Sequence, residues 1–142
     1  MSNIIEILNE NDVDKILKLW KTEPEVLGIP FRKSIFELIN KQQFFGIKKD
    51  GELIAMCGYR VMKRNPSIRI TKLCVNNTYR NKGIATDFIR YIQDKTDCLK
   101  LKMYAECKDG AENNGFYDKV GILHHKEERK TMTVRFYEIK RL

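Results

Sequence analysis

The stretch that decides the fold is Leu73-Cys74-Val75, followed after a short polar loop by Arg80-Asn81-Lys82-Gly83-Ile84-Ala85. The first segment is typical of a strand end, and the glycine opens an amphipathic helix. Its apolar residues recur at helical spacing and predict one inward face: Ile84, Ala85, Phe88, Ile89 and Ile92. Gly83 permits backbone angles that other residues avoid and lets a ligand approach closely. The free N–H groups of the first helical turn, with the helix dipole behind them, therefore predict a phosphate site.

Basic residues are concentrated ahead of this turn. Between Arg60 and Lys82 the chain has seven Lys or Arg residues and no Asp or Glu, and the net charge of the whole chain is +8. A region of one sign attracts an anion, so the distribution supports the phosphate site. The alternative is a chance cluster on a solvated face, although ordinary surfaces mix the two signs.

Length and composition predict a single domain over residues 1–142. The chain is 42% hydrophobic and 32% charged, as in ordinary globular proteins and unlike disordered ones. No apolar run approaches the roughly 20 residues that span a bilayer. The N-terminus has no basic region before an apolar stretch, so it does not resemble a secretory signal, and we expect a cytoplasmic protein.

The cysteines are scattered and form no CxxC pair; they are Cys57, Cys74, Cys98 and Cys107. We expect them to be reduced and buried as small apolar residues. A zinc site built from Cys98, Cys107, His124 and His125 has no usual ligand spacing, so no metal is expected.

Periodicity and turn signals predict the order β-α-α-β-β-β-α-β-α-β-β, an α+β or mixed three-layer domain. Asn11 or Asp12 is expected to cap the first helix. Two capping boxes are predicted for later helices, one at Ser34 and Glu37 and one at Asp109 and Glu112. Segment 22–31 is expected to be a loop, Lys49-Asp50-Gly51 a hairpin turn, and the strand before Cys107 is expected to start near Leu99.

The apolar phase slips within the strand over residues 68–75. Ile68 and Ile70 share one parity, whereas Leu73 and Val75 share the other. A β-bulge would produce this change of phase. A strand buried on both faces is the alternative that the pattern leaves open.

The pattern Arg80-x-x-Gly83-x-Ala85, after Leu-x-Val, resembles the pyrophosphate-binding motif of the GNAT family of N-acetyltransferases. A second segment about thirty residues downstream, Asn114-Gly-Phe116-Tyr117-Asp-Lys119-Val-Gly121-Ile122, is similar to that family's Phe-Tyr-x-Lys-x-Gly-Phe segment. With the flanking elements the resemblance covers nearly the whole chain. It implies an acyl-CoA N-acyltransferase-like fold, with a central, mostly antiparallel, splayed sheet flanked by helices and a bulge in the central strand.

The resemblance implies acetyl-CoA as cosubstrate and assigns its binding mainly to backbone groups. The residues that it places at the pyrophosphate are Arg80, Asn81, Lys82, Gly83, Ile84 and Ala85. The residues that it places along the pantetheine are Leu73, Cys74 and Val75, and the Val75 N–H is the expected oxyanion donor. Asn113 or Asn114 is expected to contact the pantetheine, unless both are merely helix surface.

Tyr117 is the expected general acid, since a phenol of pKa roughly 10 protonates a departing thiolate held close to it. The alternative is a tyrosine that simply packs beside Val120. The resemblance does not identify the general base. The strand position at which many family members have a base corresponds to Ala105, and the neighbouring Glu106 points to the other face of the strand. Glu106, or Tyr104 on the same face, is expected to act through water, with an ordinary surface glutamate as the alternative.

His124 and His125 follow on a strand, where their side chains are expected to point to opposite faces. One of them near the cleft is a further possible base. The acceptor pocket implied by the resemblance includes Trp20, Phe31, Phe36 and residues around Arg129. Its acidic residues are few, Glu23 and Glu25, so a polyamine or aminoglycoside acceptor is not favoured.

The leading hypothesis is an acetyl-CoA-dependent N-acetyltransferase that transfers the acetyl group directly to a primary amine. The acceptor is a small molecule, an amino-acid derivative or a peptide N-terminus, and the protein is a monomer or homodimer with no membrane partner. A basic RNA-binding or tRNA-acting protein is the first alternative, although the basic stretch is also explained by an anionic cofactor. The second is a catalytically inactive CoA-binding regulatory protein.

Overall fold

The computed structural model describes residues 3–28, 30–111 and 113–142. Its order of strands and helices is the predicted one, with one additional four-residue helix, α2, where a loop was expected. The elements are β1 (Glu6–Ile7), α1 (Val13–Trp20), α2 (Pro24–Leu27), α3 (Arg32–Asn40), β2 (Phe44–Lys49), β3 (Glu52–Met62), β4 (Ser67–Val75), α4 (Ile84–Thr96), β5 (Met103–Lys108), α5 (Asn114–Val120), β6 (Gly121–Glu128) and β7 (Thr133–Ile139).

The strands form one mixed sheet in the order β1-β2-β3-β4-β5-β7-β6. Among the described strands only β4 and β5 pair in parallel. This pairing is short: Ile68–Ile70 lies opposite Met103–Ala105, and no further residues of the two strands pair. The rest of β4, residues 71–75, is paired with β3 alone. The predicted mostly antiparallel, splayed sheet is therefore confirmed, and the opening lies between β4 and β5.

A β-bulge lies in β4, as the slip of apolar phase predicted. Met56 pairs with Cys74 and Gly58 pairs with Thr71, so β4 has one more residue than β3 across this interval. Lys72 adopts a left-handed conformation with φ of 56°. This conformation is costly for a residue with a side chain, and it changes the face to which the following residues point.

Apolar side chains form a cluster on each face of the sheet. Phe44 belongs to the cluster with α1 and α3, and its neighbour Phe45 belongs to the cluster with α4 and α5. Successive residues of a strand point to opposite faces, so this alternation places helices on both sides. The predicted three-layer arrangement is confirmed.

The turn between β2 and β3 also agrees with its sequence signal. Asp50 and Gly51 both have positive φ, of 52° and 77°, as a two-residue hairpin turn of this kind requires. Residues with a short polar side chain or none are the ones that adopt this conformation at low cost.

The predicted helix starts agree only in part with the structure. Asp12 stands at the N-cap position of α1, as predicted, but its side chain makes no capping hydrogen bond to α1. The side-chain cap is Asn9, which accepts a hydrogen bond from the Asn11 N–H (2.9 Å) at the start of a 3₁₀ turn leading into α1, and the Asp12 carboxylate accepts from the Asn9 N–H (2.9 Å). Helix α3 begins at Arg32, ahead of the predicted box, and the Ser34 hydroxyl instead donates to the Phe31 carbonyl (3.0 Å). The predicted box at Asp109 includes Glu112, which lies outside the described residues.

Three smaller predictions were also wrong. Strand β5 starts at Met103, because Leu99 lies in an exposed 3₁₀ turn. Cys98 is exposed, whereas the other three cysteines are buried and all four are free thiols. His124 and His125 do not diverge, since an irregularity in β6 brings their Nδ1 atoms to 2.6 Å.

Candidate active site

A cleft of about 600 Å³ lies between β4, the first turn of α4 and α5. Nine of the ten residues predicted for cofactor binding line it: Leu73, Cys74, Val75, Arg80, Asn81, Gly83, Ile84, Ala85 and Asn113. The exception is Lys82, which is exposed and lies with its Nζ 5.7 Å from the centre of the Tyr79 ring. One wall is the unpaired edge of β4, so backbone N–H and C=O groups are available to a ligand.

The turn before α4 owes its shape to two residues with positive φ, Asn81 at 62° and Gly83 at 80°. Gly83 occupies the N-cap position, and no side chain caps the helix there. The first N–H groups of α4 therefore point into the cleft without an intrahelical acceptor, at the positive end of the helix dipole. This arrangement suits a phosphate or pyrophosphate group.

The Arg80 side chain is held in place by contacts beside this turn. Its Nε donates to the Val75 carbonyl (3.2 Å), and its guanidinium forms an ion pair with Glu23, from the segment between α1 and α2. The side chain is therefore positioned beside the cleft, and its charge is shared with a carboxylate.

A smaller cavity of about 270 Å³ adjoins the cleft. Leu73 and Asn113 line both cavities, so the two meet at the point where β4 and β5 separate. Tyr117 and Glu106, the predicted acid and base, both line the smaller cavity. The fold thus brings the predicted catalytic residues to one side of the predicted cofactor residues.

Tyr117 is 3% exposed, and its ring stacks on that of Tyr137 with a centroid distance of 5.6 Å. Burial raises the pKa of the Tyr117 phenol well above its ordinary value of 10, so it stays protonated at neutral pH. Within the described residues its hydroxyl has no hydrogen-bond partner. The buried, protonated phenol lines the smaller cavity and can donate a proton, although its raised pKa makes it a weaker acid than an exposed tyrosine.

Tyr137, on which the Tyr117 ring stacks, is held in place by hydrogen bonds. The Tyr137 hydroxyl donates to the Asp118 carboxylate (2.6 Å) and accepts from Arg135 (3.0 Å). Arg135 also pairs with Asp109, which holds the pKa of that carboxyl below its usual range. These bonds connect α5 to β7 and fix the surface on which the Tyr117 ring stacks.

Glu106 is held by two guanidinium groups. One carboxylate oxygen lies 3.4 Å from Arg69 and the other lies 3.4 Å from Arg129. The neighbouring Ala105 is buried on the opposite face of β5, as the alternation predicted. Tyr104 does not line either cavity, and its ring faces that of His124 at 6.5 Å.

The two asparagines at the start of α5 have different environments. Asn114 is buried; its Oδ1 accepts from the Gly110 N–H (2.8 Å), and its Nδ2 donates to the Lys108 carbonyl (3.0 Å). Asn113 lines both cavities, and its buried Oδ1 has no partner among the described residues. Asn114 therefore joins α5 to β5, whereas Asn113 presents an unused acceptor to the site.

The residues expected in an acceptor pocket do not line the smaller cavity. Trp20 is 1% exposed and donates through its indole N–H to the Gly28 carbonyl (2.9 Å). Phe31 and Phe36 lie on the surface, and Arg129 reaches the site only through its ion pair with Glu106. The His124 and His125 rings are exposed and outside both cavities.

Three basic residues that the sequence analysis grouped with the phosphate site lie in the smaller cavity instead. Arg60, Arg69 and Lys72 line this cavity rather than the phosphate turn. The sequence shows the run of basic residues, but the position of their side chains in the fold depends on the β3–β4 register and on the bulge. Only Arg80 of the seven lines the larger cleft.

Cys74 lines the larger cleft, and burial raises the pKa of its thiol to about 12. At neutral pH this thiol is protonated, which makes it a poor nucleophile. Across the described residues, no three His, Cys, Asp or Glu side chains are grouped as metal ligands. In that same part of the chain no helix has the length and apolar character needed to cross a bilayer.

Comparisons with known proteins identify the family and the fold. The family model described as "Acetyltransferase (GNAT) family" matches residues 4–122. No curated protein sequence matches the chain. Among solved structures, Ard1 from Thermoplasma volcanium is 13% identical, with 99% of each chain covered and a TM-score of 0.79.

Two other solved structures are similar over the whole of this chain. Naa50 from Arabidopsis thaliana is 12% identical, with 99% of each chain covered and a TM-score of 0.77. N-acetylglutamate synthase from Neisseria gonorrhoeae is 14% identical with a TM-score of 0.77, and the match covers 99% of this chain but 36% of that one. These structures share the fold, and the family model covers most of the sequence: the chain belongs to the GNAT acetyltransferase family.

Proposed function

We propose that this protein is an acetyl-CoA-dependent N-acetyltransferase that transfers the acetyl group directly to a primary amine. The observation that carries the proposal is the junction of two cavities. One has an uncapped helix N-terminus and a free strand edge, and the other contains the protonated Tyr117. The synthase from N. gonorrhoeae was solved with coenzyme A and N-acetyl-glutamate, and A. thaliana Naa50 with a CoA-peptide bisubstrate analogue, which supports the same class of reactants.

The larger cleft would hold acetyl-CoA through backbone groups. The N–H groups of Gly83, Ile84 and Ala85 donate to the pyrophosphate, and the edge of β4 at residues 71–75 binds the pantetheine amides like an added strand. The unpartnered Asn113 Oδ1 is an acceptor for a pantetheine N–H. The Val75 N–H donates to the thioester oxygen as that atom gains negative charge.

In the transfer, the amine nitrogen attacks the thioester carbon and the carbon–sulfur bond breaks. Tyr117 donates its proton to the departing thiolate. The amine loses its proton to a water molecule, and a chain of water molecules passes this proton on to Glu106. The two ion pairs of Glu106 keep its carboxylate at a fixed position on the wall of the smaller cavity.

A direct transfer is favoured over an acetylated enzyme. Cys74 is the thiol that lines the larger cleft among the described residues, and the raised pKa of this thiol leaves almost no thiolate at neutral pH. The amine is then the nucleophile that meets the thioester.

The test is to incubate the protein with acetyl-CoA and a panel of primary amines, including amino acids and short peptides. Free CoA thiol and acetylated amine should appear in equal amounts, as measured by thiol titration and mass spectrometry. The intact protein, incubated with acetyl-CoA alone, should gain no acetyl group at Cys74. Binding of acetyl-CoA without acetylation of any amine would instead identify a catalytically inactive CoA-binding protein.

A further inference from the structure

The smaller cavity has an excess of positive charge. Arg60, Arg69 and Lys72 line it, and Glu106 is the acidic residue among its lining. Apolar side chains from Leu27, Met62 and Ile70 complete the walls. A cavity of this size with several cations would attract a small anion.

The existing ion pairs do not neutralise this charge. Arg60 lies 3.3 Å from Glu37, outside the cavity lining, and Glu106 is shared between Arg69 and Arg129. Within the described part of the chain, Lys72 has no carboxylate or hydrogen-bond partner, and its Nζ lies 4.9 Å from the centre of the Trp20 ring.

A second donor, on a residue of the cavity lining, also lacks an acceptor. The Nε of Arg69 is buried and has no hydrogen-bond partner among the described residues. A buried donor without an acceptor costs free energy, which an incoming oxygen atom would recover. Arg69 and Lys72 lie on the same strand on either side of Ile70 and Thr71, and the bulge at Lys72 lets both line one cavity.

Burial and the nearby charge of Arg60 lower the pKa of Lys72. In the free protein the cavity therefore disfavours the charged ammonium form of Lys72. An anion placed beside Lys72 would reverse this effect, since an opposite charge favours the ammonium form.

We propose that the acceptor amine also has a carboxylate, which binds to Lys72 and to the Arg69 guanidinium in the smaller cavity. The inference rests on the proposed acetyl transfer. The simplest such acceptor is a free amino acid with an apolar side chain, which would contact Leu27, Met62 and Ile70. The competing acceptor is an uncharged peptide N-terminus, which offers these cations no anion.

The experiment compares amino acids with their own α-amides as acceptors. L-methionine, L-leucine, L-phenylalanine and L-glutamate are each assayed with acetyl-CoA beside the corresponding amide, and kcat/KM is measured at pH 7.5. We expect at least one apolar amino acid to exceed its amide by about 10-fold or more in kcat/KM, because a charge-assisted pair distinguishes the two acceptors.

Matched variants locate the cause of the preference. Lys72→Met should lower the ratio of kcat/KM for the amino acid to kcat/KM for its amide toward one, and Lys72→Arg should retain this ratio. Arg69→Gln should lower the same ratio and, because it removes one ion pair of Glu106, should also lower kcat for both acceptors. Lys63→Met and Arg64→Gln, on the exposed turn between β3 and β4, are the corresponding controls and should behave as wild type.

Two outcomes would overturn the inference alone. In one, amides equal or exceed the amino acids, and in the other, no amino acid is acetylated although acetyl-CoA binds and peptides are acetylated. Failure of acetyl-CoA to bind would instead overturn the proposed transferase and this inference together, so calorimetry with acetyl-CoA is run on the same preparation.

Discussion

Tyr117 is buried and lines the smaller cavity, which meets the larger cleft at Leu73 and Asn113. Replacing it with phenylalanine removes one hydroxyl and keeps the ring that stacks on Tyr137. We expect Tyr117→Phe to lower kcat by about 100-fold or more, the usual contribution of a general acid, with KM for acetyl-CoA unchanged. Steady-state kinetics measures this, with Tyr91→Phe on α4 as the control. An unchanged kcat would show that Tyr117 only packs, and the departing thiolate would need another proton source.

Asn113 and Asn114 are adjacent in sequence but differ in what their amides contact. We expect Asn113→Ala to raise KM for acetyl-CoA by several-fold with little change in stability, because it removes an unpaired acceptor. Asn114→Ala should lower the free energy of unfolding by about 1–3 kcal/mol, because buried backbone groups lose their partner. Urea denaturation and kinetics on both variants check this. The reverse assignment would show that Asn114 is the contact with the cosubstrate.

At the scale of elements, α5 and β6 meet at Gly121, where no side chain fits. A Cβ there would lie 2.8 Å from the Glu138 carbonyl oxygen and 3.2 Å from the Tyr117 carbonyl oxygen. We therefore expect Gly121→Ala to separate α5 from β7, to lower the free energy of unfolding by about 1–3 kcal/mol, and to lower kcat. Urea denaturation measures the first effect.

Gly115, the second residue of α5, is the control for the stability measurement, since a Cβ there meets nothing within 4 Å. Gly115→Ala should be neutral or stabilising, because alanine is the better helix former. Equal stabilities of the two alanine variants would contradict the account of the α5–β6 junction.

The same elements show how far the sequence reaches. Helix α4 and the Asp50-Gly51 turn were predicted correctly, because helical spacing and positive-φ residues are local signals. The cap at Asn9 and the start of α3 at Arg32 were missed, since several polar residues near each helix start could take the N-cap position. The bulge was predicted as one of two options, and its position at Lys72 required the pairing with β3.

The two cavities differ in the same way. The larger cleft uses backbone groups and a glycine-led turn, so a short motif was sufficient to predict its lining. The cations of the smaller cavity come from β3 and β4, and the strand register determines which of them meet. Because a shift of one residue reverses the face of a strand, their grouping could not be read from the sequence.

At the scale of the whole molecule, buried cysteine and tyrosine side chains determine how the free energy of unfolding depends on pH in the alkaline range. Burial raises the pKa of the Cys107 thiol to about 11 and of the Cys74 thiol to about 12, and raises the pKa values of Cys57 and Tyr117 further. Above pH 9 the unfolded chain releases thiol protons that the folded chain keeps. Stability must therefore fall as the pH rises.

We expect the free energy of unfolding to decrease between pH 9 and 11 by up to about 1.4 kcal/mol per pH unit for each such thiol. Urea denaturation at a series of pH values measures the slope. Cys57→Ala should make the slope shallower, whereas Cys98→Ala should leave it unchanged because Cys98 is exposed. A slope that is the same in all three proteins would contradict the assignment to buried groups.

The central claim is that acetyl-CoA binds at the glycine-led turn before α4. Isothermal titration of the wild-type protein with acetyl-CoA should give micromolar affinity, about −8 kcal/mol. Gly83→Glu should abolish this binding, because it places a side chain and a negative charge at the phosphate site. Gly51→Glu is the matched control, since Gly51 also has a positive φ, of 77°, and open space around it; it should bind as wild type. No binding of millimolar acetyl-CoA to the wild type, or full binding to Gly83→Glu, would contradict the claim.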